Sequence, residues 1–371
     1  MSKTKVVLAS VLKPVDDSRT YEKIGYSMSQ TKKYEVNIIG FQSKNNNNPT
    51  ANIIWHHVFC FNRLSFKRLF APLKCLKLLI QLKPSIIIFS THELIWICLT
   101  YKLFWGGKLC YDVQENYYRN ILYGKSFPIL IKHILAYYVR FKEYLSSAGI
   151  DHYFLAEKAY ANELSFCRGR STVLQNKFNN IYNIKKRKST DFNRLVFTGT
   201  IAETTGIFSA IDLAIKLRYA RPTISFKIIG KVTQKSTLKK LKEVIRLNPW
   251  ISLVSGEYLV DHSKIINAIS NADLALVTYP KNRSTESSIP TKIYEYLAIQ
   301  LPFLMVANPL WEKVCSPYNA CLVTDFKKVD AEGLWRKLVS YQFYSKTPGS
   351  EVLWVSEEEK LIQSMNDYLH K

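Results

Sequence analysis

Short apolar runs separated by helical patterns of 10–20 residues recur along the whole chain, and this alternation restricts it to parallel βα units. In the first half, 6–9, 35–41, 53–61, 85–89 and 108–113 read as buried strands. An amphipathic stretch covers 18–31, and NNNNPT at 45–50 reads as a loop. The pattern lapses into a polar, basic segment, NKFNNIYNIKKRKSTDFN at 176–193, and then resumes. Strands are expected at 194–198, 225–229, 251–254, 272–278 and 301–306. Helices are expected at 207–217, at 237–247, within 259–268 and from 292 to 298. The expected division is an N-terminal domain over 1–180, a linker over 181–193 and a second domain over 194–355. A C-terminal helix over 356–371 is expected to pack back on the first domain. Two doubly wound α/β domains in tandem imply a cleft between their strand C-termini.

Composition narrows the class. With 47% apolar and 13% aromatic residues and only 13 prolines, disorder is excluded as the main state. The most apolar stretch, 85–105, is interrupted by His92, Glu93 and Lys102, so no transmembrane span is expected. The N-terminal MSKTKVVLAS lacks the h-region of a signal peptide. Seven cysteines, an odd number without C-x-x-C, predict free thiols in a reducing cytoplasm and no metal site. Charge is lopsided. Lys and Arg number 52 against 29 Asp and Glu, a net +23, of which residues 1–187 carry +17. Such a field attracts phosphorylated substrates, anionic lipid or nucleic acid.

Ligands of open parallel sheets bind beyond the strand C-termini, so the residues there are the candidates. After the first strand come Asp17, Ser18 and Arg19: a helix cap, with an arginine that is either solvated or anion-binding. His92 follows the 85–89 strand, and Gln114 and Glu115 follow 108–113. Each is open to a structural or a functional reading. Thr198, Gly199 and Thr200 precede Thr205 and Gly206, where the next helix starts, as a phosphate cradle would. Gly230 and Gly256 close two later strands. The densest signal is Ser287, Ser288, Ile289, Pro290, Thr291, Lys292 and Glu295. In it hydroxyls, a proline and a lysine gather at a helix start, and a glutamate one turn on suits a ribose diol. The competing reading is a capped helix with an i, i+3 Lys–Glu surface pair.

SIPTKIYEYLA, preceded by ADLALVTYPKN and followed by QLPFLMV, resembles the donor-site helix of family-4-like retaining glycosyltransferases of GT-B fold, the bacterial surface-polysaccharide type. FTGTI…TGIFSAIDL resembles the opening of that family's nucleotide-binding domain. YDVQEN resembles its Y-D-V-H-E element, VLQNKF its strand before the linker, and LKPVDDSRTYEKIG its first loop and helix in a bacterial subset. The matches follow in order over nearly the whole chain. The resemblance implies an α/β GT-B fold of two Rossmann-like, doubly wound domains facing a central cleft. It implies sugar transfer from a nucleotide diphosphate sugar with retention, without metal or cofactor. Glu295 then meets the ribose, Lys292 the diphosphate, the Thr198–Gly199–Thr200 loop the phosphates, and Gly256 with Glu257 the nucleobase. Three departures stand out. Ser287 lies eight before Glu295, where a second glutamate is common, with Glu286 one place off. Thr200 and Thr205 replace an Arg and a Lys, leaving Arg19 or Lys292 to substitute. Gln114 replaces a His.

The expected catalytic groups are therefore Lys292, Glu115 and Arg19, with Asp17, His92 and Gln114 on the acceptor side. Phe66, Leu69, Leu73, Leu76 and Ile80 share a helical face flanked by Lys67, Lys74 and Lys77. The stretch 126–145 is apolar with Lys132, Arg140 and Lys142. These segments suit the anionic inner leaflet of the cell membrane and a saccharide or lipid-linked acceptor there. The rival readings are a GT-B nucleotide-sugar epimerase, a non-catalytic member of the family, and a nucleic-acid binder. For the last no recognition motif is present, so no nucleic-acid partner is expected.

Overall fold

The computed structural model describes residues 3–43, 49–50, 52–61, 65–124, 127–179, 181, 191–283 and 285–369. The chain forms two compact units, Met1–Asn179 with Trp354–Lys371, and Asn180–Leu353. Of the expected linker, residues 182–190 lie outside the described residues, as do residues 45–48 of the expected loop and Ser126 of the second basic segment.

The first unit holds one sheet of β1 (Thr4–Pro14), β2 (Tyr34–Phe41), β3 (Ile53–Phe59), β4 (Ile86–Phe89), β5 (Lys108–Val113), β6 (His152–Leu155) and β7 (Ser171–Val173). The order is β3-β2-β1-β4-β5-β6-β7, every pair parallel. Parallel neighbours need crossovers, and these cover both faces, so the strands are apolar on both sides. On one face Val7, Ala9, Phe89 and Tyr111 pack against Cys75 and Leu79 of the helix Ala71–Leu82 and Cys98 and Tyr101 of the helix Ile95–Trp105. On the other, Leu8, Ile38, Ile88 and Phe154 meet Ile24, Met28, Trp354, Leu361 and Met365.

The second unit repeats the plan with β8 (Arg194–Thr198), β9 (Ser225–Lys231), β10 (Ile251–Gly256), β11 (Leu274–Val277), β12 (Phe303–Met305) and β13 (Cys321–Val323). Their order is β10-β9-β8-β11-β12-β13, again all parallel. Its core joins Phe197, Ile228 and Leu276 to Ile211 and Leu217 of the helix Ile207–Ala220.

Several local expectations need correction. β1 runs through a register shift after Ala9 as far as Pro14, well beyond the expected 6–9. β6, β7 and β13 are 4, 3 and 3 residues long, too short to show a period, and were not expected as strands from the pattern alone. Pro72 sits in the first turn of the helix Ala71–Leu82, which a 3₁₀ turn, Phe66–Phe70, precedes. Ala71, Cys75 and Leu79 are the buried row of that helix, at i, i+4 and i+8.

The chain's last described segment belongs to the first unit through specific contacts. Trp354 is buried and its Nε1 donates to Ser27 Oγ at 2.9 Å. Glu357, fully buried in the helix Val355–Ser364, pairs with Lys177 at 2.5 Å and accepts from the Gln175 amide. Trp354→Ala should therefore destabilise the first unit by about 3–5 kcal/mol, read as a lower urea midpoint. A change under about 1 kcal/mol would show that this anchor is not needed.

Candidate functional site

In the second unit the strand order reverses between β8 and β11, which opens a crevice at their C-terminal ends. Gly199 follows β8 at φ +91°. Gly230 at the end of β9 has φ +149°, and a Cβ there would fall 1.7 Å from the Gly199 carbonyl oxygen, so only glycine lets the two strand ends approach. Gly206 starts the helix Ile207–Ala220 at φ +77°, where a Cβ would lie 2.0 Å from the Thr278 carbonyl oxygen. Thr278 Oγ1 reaches back to the carbonyls of Thr205 and Gly206 at 3.0 and 2.9 Å. Thr205 Oγ1 accepts from the Ala202 amide and lies 3.0 Å from the Thr200 carbonyl. Thr205 thus builds the loop from inside, while Thr200 is exposed.

Lys292 stands at this switch point. It lies in the first turn of the helix Thr291–Ile299, is 6% exposed, and donates from Nζ to the Thr198 carbonyl. Its ammonium sits 4.7 Å from the Phe197 ring centroid and 5.0 Å from that of Tyr279. A Cβ on Gly199 would meet Lys292 Cε and Nζ at 3.7 Å, so the cation lies directly beside the glycine loop. Glu295, one turn on and also 6% exposed, turns elsewhere: its Oε1 is 3.0 Å from His262 Nε2. The Lys–Glu surface pair is thereby corrected, because both groups are buried and each has its own partner. Thr198 Oγ1 meets Tyr296 OH at 2.9 Å and ties β8 to the same helix.

The approach to that helix is built by short contacts. Ser288 Oγ donates to the Thr285 carbonyl at 3.0 Å, and Trp311 Nε1 donates to the Ser288 carbonyl at 2.8 Å. Ser287 lies in the turn, Ile289 is buried, and Pro290 is the residue from which the helix starts. Glu286 is exposed. Gly256 ends β10, and Glu257 is exposed and pairs with Lys242 at 2.9 Å. Both line a groove of about 680 Å³ whose basic side is Lys235, Lys239, Lys242 and Arg246.

In the first unit the order reverses between β1 and β4. Arg19 is not the solvated or anion-ready group expected there. It is 2% exposed, grips Asp112 through Nε at 3.0 and 3.1 Å and through a terminal nitrogen at 2.6 Å, and gives its other terminal nitrogen to the Leu174 carbonyl at 2.8 Å. A guanidinium so engaged fastens its helix to β5. Gln114 Nε2 donates to the same carboxylate at 2.8 Å. Asp17 caps the helix, accepting from the amides of Arg19 and Thr20. Burial pushes its carboxyl up, but Lys13, Lys23 and those amides outweigh burial and hold it below the ordinary value. Glu115 is exposed and accepts from Asn120 Nδ2 at 2.9 Å, apart from the buried groups.

His92 Nδ1 is 2.8 Å from Lys142 Nζ, and its ring meets Tyr117 edge-on at 4.8 Å. Burial lowers its pKa to about 4, with Lys142 and Arg68 adding to the fall and Glu93 opposing it. The ring is therefore neutral and only weakly basic at pH 7, which suits a hydrogen-bonding contact better than proton abstraction. Beneath it lies Glu143, 3% exposed, which accepts from Tyr111 OH at 3.2 Å and pairs with Arg140 at 3.5 Å. Sequence reasoning did not single out His262, Asp112, Tyr279 or Glu143. Asp261-His262-Ser263 shows only a helix-cap pattern, and the His262–Glu295 contact spans 33 residues.

No family model matches the chain, and no curated protein matches it in sequence. Solved structures do match in shape. Sucrose-phosphate synthase from Thermosynechococcus elongatus has a TM-score of 0.66 at 12% identity, covering 97% of this chain and 94% of that one. Anabaena HepE, in complex with UDP and glucose, gives 0.65 at 11%, covering 98% and 100%. UDP-GlcNAc 2-epimerase from Methanocaldococcus jannaschii gives 0.57 at 11%, covering 98% and 99%. At such identities the likeness is one of fold, and the fold is GT-B, α/β with two Rossmann-like domains.

Glu143 offers a test of the buried cluster. Burial pushes its carboxyl up to about 7, against Arg140, Tyr111 and Lys142. The folded state then binds more protons than the unfolded chain between the ordinary 4.5 and about 7, so this group's favourable margin is present in acid and lost as pH rises through 7. Glu143→Gln should stabilise the protein at pH 8 by roughly 1–3 kcal/mol and leave it unchanged near pH 4.5. Urea denaturation at the two pH values checks this; an equal effect at both would contradict it.

Proposed function

We propose that this chain is a glycosyltransferase that moves a sugar from a nucleotide diphosphate sugar, with retention at the anomeric carbon and without a metal, to a saccharide or lipid-linked acceptor. The acceptor is borne on the anionic inner leaflet of the cell membrane, on whose cytoplasmic face the enzyme works as a peripheral protein in surface-polysaccharide or lipopolysaccharide synthesis. The observation that carries the reading is Lys292, a nearly buried cation held between two aromatic rings at the β8–β11 switch point, beside the Gly199 loop. A cation and a helix N-terminus at such a crevice suit a diphosphate. Glu295, held by His262 one turn further along, supplies the carboxylate for the ribose hydroxyls. The exposed groove at Gly256 and Glu257 suits the nucleobase. The GT-B neighbours include proteins described in complex with UDP or ADP.

In this reading the bond from the anomeric carbon to the diphosphate oxygen breaks and the acceptor oxygen bonds to the same face of that carbon. The acceptor's proton passes to the departing phosphate oxygen, so no protein base is required. Negative charge grows on the diphosphate as the bond breaks, and Lys292 stabilises that growth. The acceptor-side groups are Asp17, His92 and Gln114, of which His92 serves as a neutral hydrogen-bond partner. Arg19 serves by holding Asp112 rather than by touching the substrate. A second reading, a nucleotide-sugar epimerase, is favoured by the epimerases among the structural neighbours. Product analysis separates the two: transfer releases nucleoside diphosphate and a glycoside, whereas epimerisation returns a rearranged nucleotide sugar.

Two substitutions test the site. Glu295→Ala should weaken UDP or ADP binding about 10- to 100-fold, the worth of a hydrogen bond to a charged group, and lower the urea midpoint modestly because His262 loses this partner, so affinity is compared on protein confirmed to be folded. Wild-type affinity by calorimetry would remove Glu295 from the site. Lys292→Ala should lower kcat by about 10²–10³ with a smaller change in the donor KM, because its interaction strengthens in the transition state. A change in KM alone would assign it to ground-state binding.

A further inference from the structure

The helix Ile129–Ser146 turns most of its large apolar side chains outward. Its buried positions are Ala136, Val139, Lys142, Glu143 and Ser146, of which Lys142 meets His92 and Glu143 meets Tyr111. Its outward positions are mostly apolar: Leu130 is 79% exposed, Ile134 72%, Tyr137 61%, Phe141 64% and Tyr144 63%, with His133 the exposed polar residue among them. A water-facing helix carries the opposite pattern. The apolar surface does not stop there. The helices Ala71–Leu82, Ile95–Trp105 and Ile129–Ser146 are crossovers on one flank of the first sheet, and the middle one contacts both others. Crossover helices start at the sheet's C-terminal edge. At that edge the Phe66–Phe70 turn exposes Phe66 (86%), Leu69 and Phe70, and the middle helix exposes Trp96. Solvent-facing apolar area on this scale marks an interaction surface.

We infer that this flank is a bilayer-docking face, with the helix Ile129–Ser146 lying in the lipid interface and the Phe66–Phe70 turn as a second wedge. The inference rests on the membrane-borne acceptor proposed above and names the elements that meet the lipid. Three observations favour lipid over a protein partner. The outward row mixes aliphatic side chains with tyrosines, the composition of an interfacial anchor. Its charge is of one sign: Lys67, Lys74, Lys77 and Lys132 accompany it, while Glu143, the acidic residue of that helix, faces inward with Arg140 as its partner. That charge complements an anionic headgroup layer. Finally, among the described residues no helix is long and apolar enough to cross a membrane, so this one lies along the surface. Docked so, the edge carrying His92 and Asp112 stays near the headgroups.

The mode of binding differs from adsorption by charge alone. Apolar burial is insensitive to salt, whereas the lysine contribution is screened within a Debye length. The test is co-sedimentation of the full chain with vesicles of phosphatidylcholine and of phosphatidylcholine mixed with phosphatidylglycerol, at low and high salt, alongside calorimetric titration with UDP and ADP. The protein should bind both vesicles, keep its binding to the neutral ones at high salt, and bind the anionic ones more tightly at low salt. Ile134→Gln with Phe141→Gln should cut binding to both at least about tenfold and leave nucleotide binding unchanged. Lys67→Gln, Lys74→Gln and Lys77→Gln together should remove only the anionic preference. No partition to either vesicle while nucleotide still binds overturns the docking face, as does unchanged partition of the Ile134/Phe141 variant. So does a lipid-free dimer that this variant dissolves, which would make the face a contact between copies. Vesicle binding without binding of either nucleotide supports the face and overturns the proposed transfer.

Discussion

Every strand pair in both sheets is parallel, and that constraint governs the rest of the molecule. A parallel neighbour cannot be reached by a tight turn, so each connection crosses the sheet and returns on a helix. All strand C-termini therefore gather along one edge of each sheet, and the chain's polar loops gather with them. Where the strand order reverses, at β1–β4 and at β8–β11, adjacent loops leave in opposite directions and open a crevice. Lys292, Gly199 and Gly206 occupy one such place, and His92 follows β4 at the other.

The two switch points solve the burial of charge differently. In the second unit a single ammonium is desolvated and compensated by a carbonyl and two ring faces, which leaves it a concentrated charge. In the first, Arg19 pairs with Asp112 and Arg68 with Glu93, while Lys142 hydrogen-bonds the neutral His92 ring. Breaking a buried pair leaves an uncompensated charge, so these groups act as fasteners for the helices around them. The helix that places Lys142 and Glu143 inward also presents Leu130, Ile134 and Phe141 outward.

Much of the site was legible because its residues are close in sequence. Ser288, Pro290, Lys292 and Glu295 fall within eight positions of a helix start, where hydroxyl, proline and lysine have recognisable meanings. Gly199 and Gly206 were visible for a similar reason, since a glycine after a strand signals a backbone that must turn or approach. The surroundings of Arg19 and Glu115 were not legible because a residue type after a strand says nothing of its partner. Asp112 lies 93 residues from Arg19, and Glu115, one place before the buried Asn116, is exposed.

From the sequence alone follow the alternation of strands and helices, two doubly wound domains, the positive charge concentrated in the first half, and the helix start bearing Lys292. These are local or additive properties: periodicity, turn chemistry and charge can be read within a window of residues. Tertiary structure decided the rest. It made Arg19 a fastener, gave Glu295 to His262, recruited Tyr279 to Lys292, and turned the helix Ile129–Ser146 apolar side out. Each depends on which distant side chain occupies the neighbouring space. A residue's burial and partner are set by packing between elements far apart in the chain, and no periodicity along it encodes that choice.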